Sequence, residues 1–310
     1  MIPNLFRSDI PIPGNLIDTH PAASDMLDGH CGYTPELQAA DTPQALRDAC
    51  GDAMRDFPSG MWIDEKDRAD RARQNDENRT WAMNMVSSFT NQSPTHECTC
   101  HDLIQNFRVA RNKQRGIIYP EGPKAGFRYP QSLKGDVFMS PLSVYNEANP
   151  GQRGGAGCIQ VLNIACRRGI LPDKIQPFDY KFKHQLTGTA GRGNSNQSSG
   201  PWVPVSQMPD GWQETGKLFM PQEVIVTTDW EQALCLLLWG YKGSYGRSGH
   251  AVGPAMWNVA SNSFPYPDSY DVTRVDSFST FKSAVRGGAY FIISVTTPDN
   301  WLDPAGTLAT

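Results

Sequence analysis

No stretch of this sequence is apolar for long enough to cross a bilayer: the longest run, residues 233–239, falls far short of the ~20 residues a spanning helix needs. The opening residues, MIPNLFRSDIPIPGN, lack a basic segment followed by an apolar one, so no export signal and no membrane partner are expected. Nor is there an excess of positive charge. Lys and Arg number 28 against 32 Asp and Glu, a net charge of −4, which offers a phosphate backbone nothing to bind and argues against nucleic acid. Cysteine is sparse and odd in number, with seven at positions 31, 50, 98, 100, 158, 166 and 235. An odd count cannot complete a disulfide framework, so a reducing compartment such as the cytoplasm is the expected setting.

What is present suffices for a sizeable core. A chain of 310 residues can form two domains, or one two-lobed domain behind an extension. Residues 1–40, rich in Pro, Asp and Gly, read as an extended arm, and Asp41-Thr-Pro then marks a helix start that leads to a turn at Pro58-Ser-Gly. The run at 63–79 is almost wholly charged and reads as a solvated face or linker, with a boundary near residue 80. So polar an arm has little with which to fold alone, and neighbouring subunits of a larger assembly are expected to contact residues 1–80.

Beyond Trp81 the pattern changes. A polar loop at 87–97 runs into CTCHDLIQNFRVARN, where Leu103, Ile104, Phe107 and Val109/Ala110 recur at helical spacing and place Cys98 at a helix N-terminus. A second helix is expected at 156–168, closed by Gly169 and followed by Pro172. The Gly, Ser and Asn of 187–201 have the composition of a mobile surface loop. After it come β-prone segments at 223–228, 250–259, 270–278 and 289–295, with a helix at 229–239. The order is a helical lobe, a link and a β lobe, an α+β fold.

A thiol at a helix N-terminus has the beginnings of a nucleophile, because unpaired N–H groups and the helix dipole favour the thiolate. It also needs a base, and His250, opening an apolar strand, is the candidate. Cys100 competes with Cys98, but two residues on along a helix it points about 200° away, so the two cannot serve one site. The run His96-Glu-Cys-Thr-Cys-His101 is dense in ligand types without the spacing of a zinc site, and no metal is expected. Cys158 and Cys166 lie too far apart along one helix to pair and are expected inside.

Four spacings then fall into order. Gln92 precedes Cys98 by six residues; Gly154-Gly155 stand ahead of a helix ending in Gly169-Ile170; Gly249-His250-Ala251-Val252 opens a strand; and Asp276-Ser277-Phe278 closes another. In these motifs the chain resembles the papain-like cysteine peptidases over roughly residues 81–300. The resemblance implies a two-lobed fold within 81–310, with a helical lobe over about 81–186 and a β lobe over about 202–310, behind the 1–80 extension. It implies that Cys98 attacks a peptide carbonyl, His250 exchanges the proton, Asp276 orients the imidazole, and the Gln92 amide holds the oxyanion with the Cys98 N–H. Gly154 and Gly155 would present backbone to a peptide or protein substrate, with Phe278 beside the site, and no cofactor is implied.

Asn262-Ser-Phe is the rival for the orienting role, set aside because a strand over 250–259 leaves no room for a return strand before it. Thr99 stands where the family has Trp, and so does Phe278. These departures give a second expectation, in which the fold is kept by a structural or assembly component, such as part of a virus particle, that holds neighbours through 1–80.

Overall fold

An antiparallel sheet with helices against both faces positions the residues of interest. The computed structural model describes residues 57–85, 97–114, 116–118, 128–130, 139–148, 156–172, 210–247, 249–268 and 272–298. The helix expected after Asp41, together with Gln92, Gly154, Gly155 and the 187–201 loop, lies outside them.

Within the described residues the helices are α1 (Glu65–Asn78), α2 (Cys98–Gln114), α3 (Pro141–Ala148), α4 (Cys158–Arg168), α5 (Trp212–Lys217), α6 (Trp230–Leu238) and α7 (Phe278–Arg286). The strands are β1 (Gly116–Ile118), β2 (Arg128–Pro130), β3 (Met220–Thr227), β4 (Gly243–Arg247), β5 (His250–Val252), β6 (Ser263–Asp268), β7 (Val272–Ser277) and β8 (Ala289–Thr296). Strands β3, β8, β4 and β5 form the four-stranded sheet in that order, while β1 with β2 and β6 with β7 make separate hairpins. Mixed helix and sheet is what the composition of segments led us to expect.

Strand alternation divides the sheet between two cores. Val224, Tyr290 and Ile292 face α2 and α4, whereas Ile225, Ala289, Phe291 and Ile293 face α6 and α7. Leu103, Ile104, Phe107 and Ala110 are buried as their spacing predicts, and the polar residues between them, among them Asp102, Arg108 and Arg111, are buried too. Helix α2 is therefore enclosed on nearly every side. Gly169 ends α4 at φ 81°, where a Cβ would meet the Gly216 carbonyl oxygen at 1.7 Å.

Strand β5 is shorter than the 250–259 segment suggested, since Gly253-Pro254 follows Val252 and proline cannot continue the ladder. The chain returns instead in β6, whose prolines 265 and 267 are tolerated because, among the described residues, β6 has a strand partner on one edge alone, its other edge meeting the Ala255 N–H through the Pro265 carbonyl at 3.1 Å. Its other residues, Phe264, Tyr266 and Asp268, share a face with Arg274 and Asp276 across the hairpin, in the register Phe264↔Asp276 and Tyr266↔Arg274.

The charged run at 63–79 is a helix rather than a linker. Arg68, Ala72, Asn75 and Asn78 of α1 are buried; Arg68 pairs with Glu231 at 3.0 Å, and the Asn75 amide donates to the Leu238 carbonyl at 2.8 Å. Trp239 also donates from its indole to the Met61 carbonyl at 2.8 Å. The described part of the 1–80 extension is thus docked on α6 of its own chain. Among the described residues, no helix is long and apolar enough to cross a membrane.

Candidate active site

Cys98 is the first residue of α2, and the carbonyl of Glu97 before it accepts the His101 N–H at 2.9 Å, opening the helical ladder. The sulfur accepts a hydrogen bond from the Ala251 N–H at 3.3 Å. Among the described residues strand β5 ends the sheet, and one of its N–H groups is taken up by a thiol. The helix start and this donor both favour negative charge at sulfur. Cys98 is fully buried, at 0% exposure.

His250 precedes Ala251. Gly249 before it has φ 76°, a left-handed conformation that the tight β4–β5 turn demands and that brings His250 back opposite Arg247. The imidazole Nε2 lies 3.1 Å from Asp268 Oδ1. A carboxylate only accepts, so Nε2 carries a proton in this contact, and Nδ1 is the ring nitrogen at which a second proton would be taken up or given. The other oxygen of Asp268 is 2.7 Å from Arg274 Nε in an ion pair.

The expectation for Asp276 is corrected at this point. Asp276 receives the Tyr245 hydroxyl at 2.7 Å and the Arg247 guanidinium, while Asp268 stands against the imidazole. Burial pushes the Asp276 carboxyl above its usual range, with Arg247 pulling the other way. The physical reason is the early end of β5: the strand that returns past His250 is β6, and Asp268 is its last residue. A trace of this was present in the sequence. Asp268-Ser269-Tyr270 has the same acid or amide, Ser, aromatic pattern as Asn262-Ser-Phe and Asp276-Ser-Phe, but the prolines on either side of Tyr266 hid the strand that carries it.

Phe278 is also displaced from its expected role. It heads α7, with its ring 5.3 Å from Trp230 and 6.0 Å from Phe264, as part of the aromatic core. Gln92, Gly154 and Gly155 lie outside the described residues.

One turn along α2 from Cys98, Asp102 forms a buried ion pair with Lys242 and accepts the Ser244 hydroxyl, which ties α2 to β4. Burial pushes the Lys242 ammonium below its usual value, opposed by Asp102. The neighbouring thiols Cys100 and Cys158 are pushed well up, by burial first and next by the Glu97 and Asp102 carboxylates respectively. A thiol held protonated in this way is a poor nucleophile; Cys98 differs from these two in standing at the first residue of α2 and in accepting the Ala251 N–H.

No protein-family model and no curated protein matches the chain. Two solved structures of cysteine proteases are similar to it. One is xylellain, a cysteine protease from Xylella fastidiosa, at 13% identity and a TM-score of 0.47, covering 67% of this chain and 82% of that chain. The other is the Amb a 11 cysteine protease, a major ragweed pollen allergen, in its proform, at 12% identity and a TM-score of 0.41, covering 70% of this chain and 65% of that one.

Proposed function

We propose that this chain is a thiol hydrolase of the papain-like type that acts on peptide bonds, with Cys98 as nucleophile, His250 as base and Asp268 as the residue that orients the imidazole. The observation that carries this reading is the hydrogen bond from Ala251 N–H to Cys98 Sγ at 3.3 Å, beside a His250 whose Nε2 is engaged by Asp268 at 3.1 Å. In the reaction the Cys98 thiol gives its proton to His250 and its sulfur bonds to the peptide carbonyl carbon. The imidazolium passes that proton to the departing amine as the C–N bond breaks, and water, giving a proton to His250, then cleaves the thioester to release the acid and restore the thiol. Gln92 is the proposed side-chain donor to the oxyanion, and Gly154 and Gly155 the backbone that lines the substrate. The two-lobed division into about 81–186 and about 202–310 belongs to the same proposal.

A second reading is favoured by one observation, the complete burial of Cys98. A thiol that no reagent can reach does no chemistry, and the arrangement would then survive as a structural element only.

Limiting iodoacetamide across about pH 5 to 8, with sites mapped by mass spectrometry, separates the two. Peptidase chemistry requires Cys98 to label ahead of Cys100, Cys158, Cys166 and Cys235, at a rate that persists at low pH and drops in His250→Ala. Absence of preference for Cys98 would sink the proposal and leave the structural reading.

A further inference from the structure

Arg247, the last residue of β4, stands directly opposite His250, the first residue of β5. Opposed residues point to one face of a sheet with Cβ atoms roughly 5 Å apart, so the two side chains are close neighbours. The guanidinium is held from one side. Nη1 donates to Asp276 and, at 3.0 Å, to the Tyr266 hydroxyl, while Tyr245 secures the second oxygen of Asp276 at 2.7 Å. Nε and Nη2 make no hydrogen bond among the described residues, and the Arg247 side chain is 28% exposed. The rest of this charged layer is closed: the side chains of Asp268 and Asp276 are 0% exposed, His250 5% and Arg274 9%.

A fixed guanidinium with one edge of its donor fork unspent among the described residues, in a side chain 28% exposed, has the geometry that a carboxylate accepts with both oxygens. Because its position is already set by Asp276 and two tyrosines, little side-chain freedom is lost when a ligand arrives. An extended chain advances about 3.3 Å per residue, so a group that reaches Arg247 belongs to the substrate within roughly one or two residues of the bond presented to Cys98.

We propose that Arg247 recognises a carboxylate on the substrate, either an acidic side chain or a chain-terminal carboxylate, next to the bond to be cut. The proposal rests on the thiol hydrolase reading above. It makes Arg247 a specificity-determining residue, with Asp276, Tyr245 and Tyr266 as its positioning residues.

The test compares iodoacetate, an anion, with iodoacetamide, its neutral analogue, as labels for Cys98 in the full chain. The ratio of the two rates is expected to fall by roughly threefold or more in Arg247→Gln and to be kept in Arg247→Lys. Arg247→Gln leaves Asp276 buried without its counter-charge, so the double variant Arg247→Gln/Asp276→Asn, which removes both charges, must show the same fall. Two peptides then distinguish the sources: one amidated and carrying an internal Glu, the other with Gln in its place and a free terminal carboxylate. The source is the peptide that slows iodoacetamide labelling of the unaltered chain more than that of the double variant. A ratio that does not move, or protection that is absent or equal in both chains, overturns the proposal while leaving Cys98 chemistry intact. If iodoacetamide does not label Cys98 at all, the hydrolase reading fails and this one with it.

Discussion

Strand β4 has a buried charge cluster on each side, and the two are built to different ends. Toward α2, Lys242, Ser244 and Asp102 close on one another, with the lysine and aspartate side chains 1% and 3% exposed. Toward the β6–β7 hairpin, Tyr245 and Arg247 lead into a layer that also holds Asp276, Tyr266, Asp268, Arg274 and His250. The first cluster pairs one cation with one anion. The second shares Asp268 between a permanent cation and an imidazole, and it reaches solvent at Arg247. Alternation along one short strand is enough to separate a closed ion pair from a charged layer that reaches solvent.

Removing one partner from the closed ion pair should have the largest effect on stability. Asp102→Ala leaves Lys242 charged and buried, and a loss of about 3–5 kcal/mol is expected in urea unfolding. Replacing both, as Asp102→Leu with Lys242→Met, should cost much less. If the single variant were as stable as the parent, the ion pair would not tie α2 to β4 as described.

The two hairpin aspartates sharpen the contrast further. Asp268→Asn should slow alkylation of Cys98 by about 10- to 100-fold, because the amide no longer holds the imidazole as its carboxylate does. Asp276→Asn should change the iodoacetamide rate by less than about threefold, since its partners are Arg247 and Tyr245. Equal effects would return Asp276 to the role first expected of it.

A further effect is one of pH. Cys100 and Cys158 have folded-state pKa values raised by burial. Above the ordinary thiol value of about 8.5 the unfolded chain releases protons that the folded chain retains, so stability falls as pH rises, by up to about 1.4 kcal/mol per pH unit for each thiol. Lys242, whose pKa is lowered, works in the opposite sense at higher pH and reduces the slope. Urea midpoints at about pH 8 and pH 10 should therefore decrease, and decrease less in Cys158→Ala.

Helix α2 could be read from the sequence, and so could α4 with its closing Gly169, because apolar spacing and a glycine stop are local features. So could the thiol at the helix start and the histidine at the head of β5. Asp268 could not. Its strand alternates with proline, which reads as a break, and an edge position that tolerates proline is a property of the assembled sheet. Helix α1 escaped for a similar reason: Arg68 and Asn75 dock it through an ion pair and a carbonyl, and hydropathy is blind to both. Ser277 ends β7 as its strand reading expects, and its hydroxyl also accepts the Thr280 N–H at 3.2 Å and starts α7, a second role the strand pattern does not show.

The contact between Cys98 and Ala251 joins positions 153 residues apart in the chain. Closing so long a loop is a non-local step of the kind that slows folding. On the ribosome, where synthesis runs from the N-terminus, the sulfur emerges long before β5 and the hairpin that carries Asp268. A nascent chain therefore carries Cys98 before the strand that donates to its sulfur, and the aspartate that faces His250, have been made.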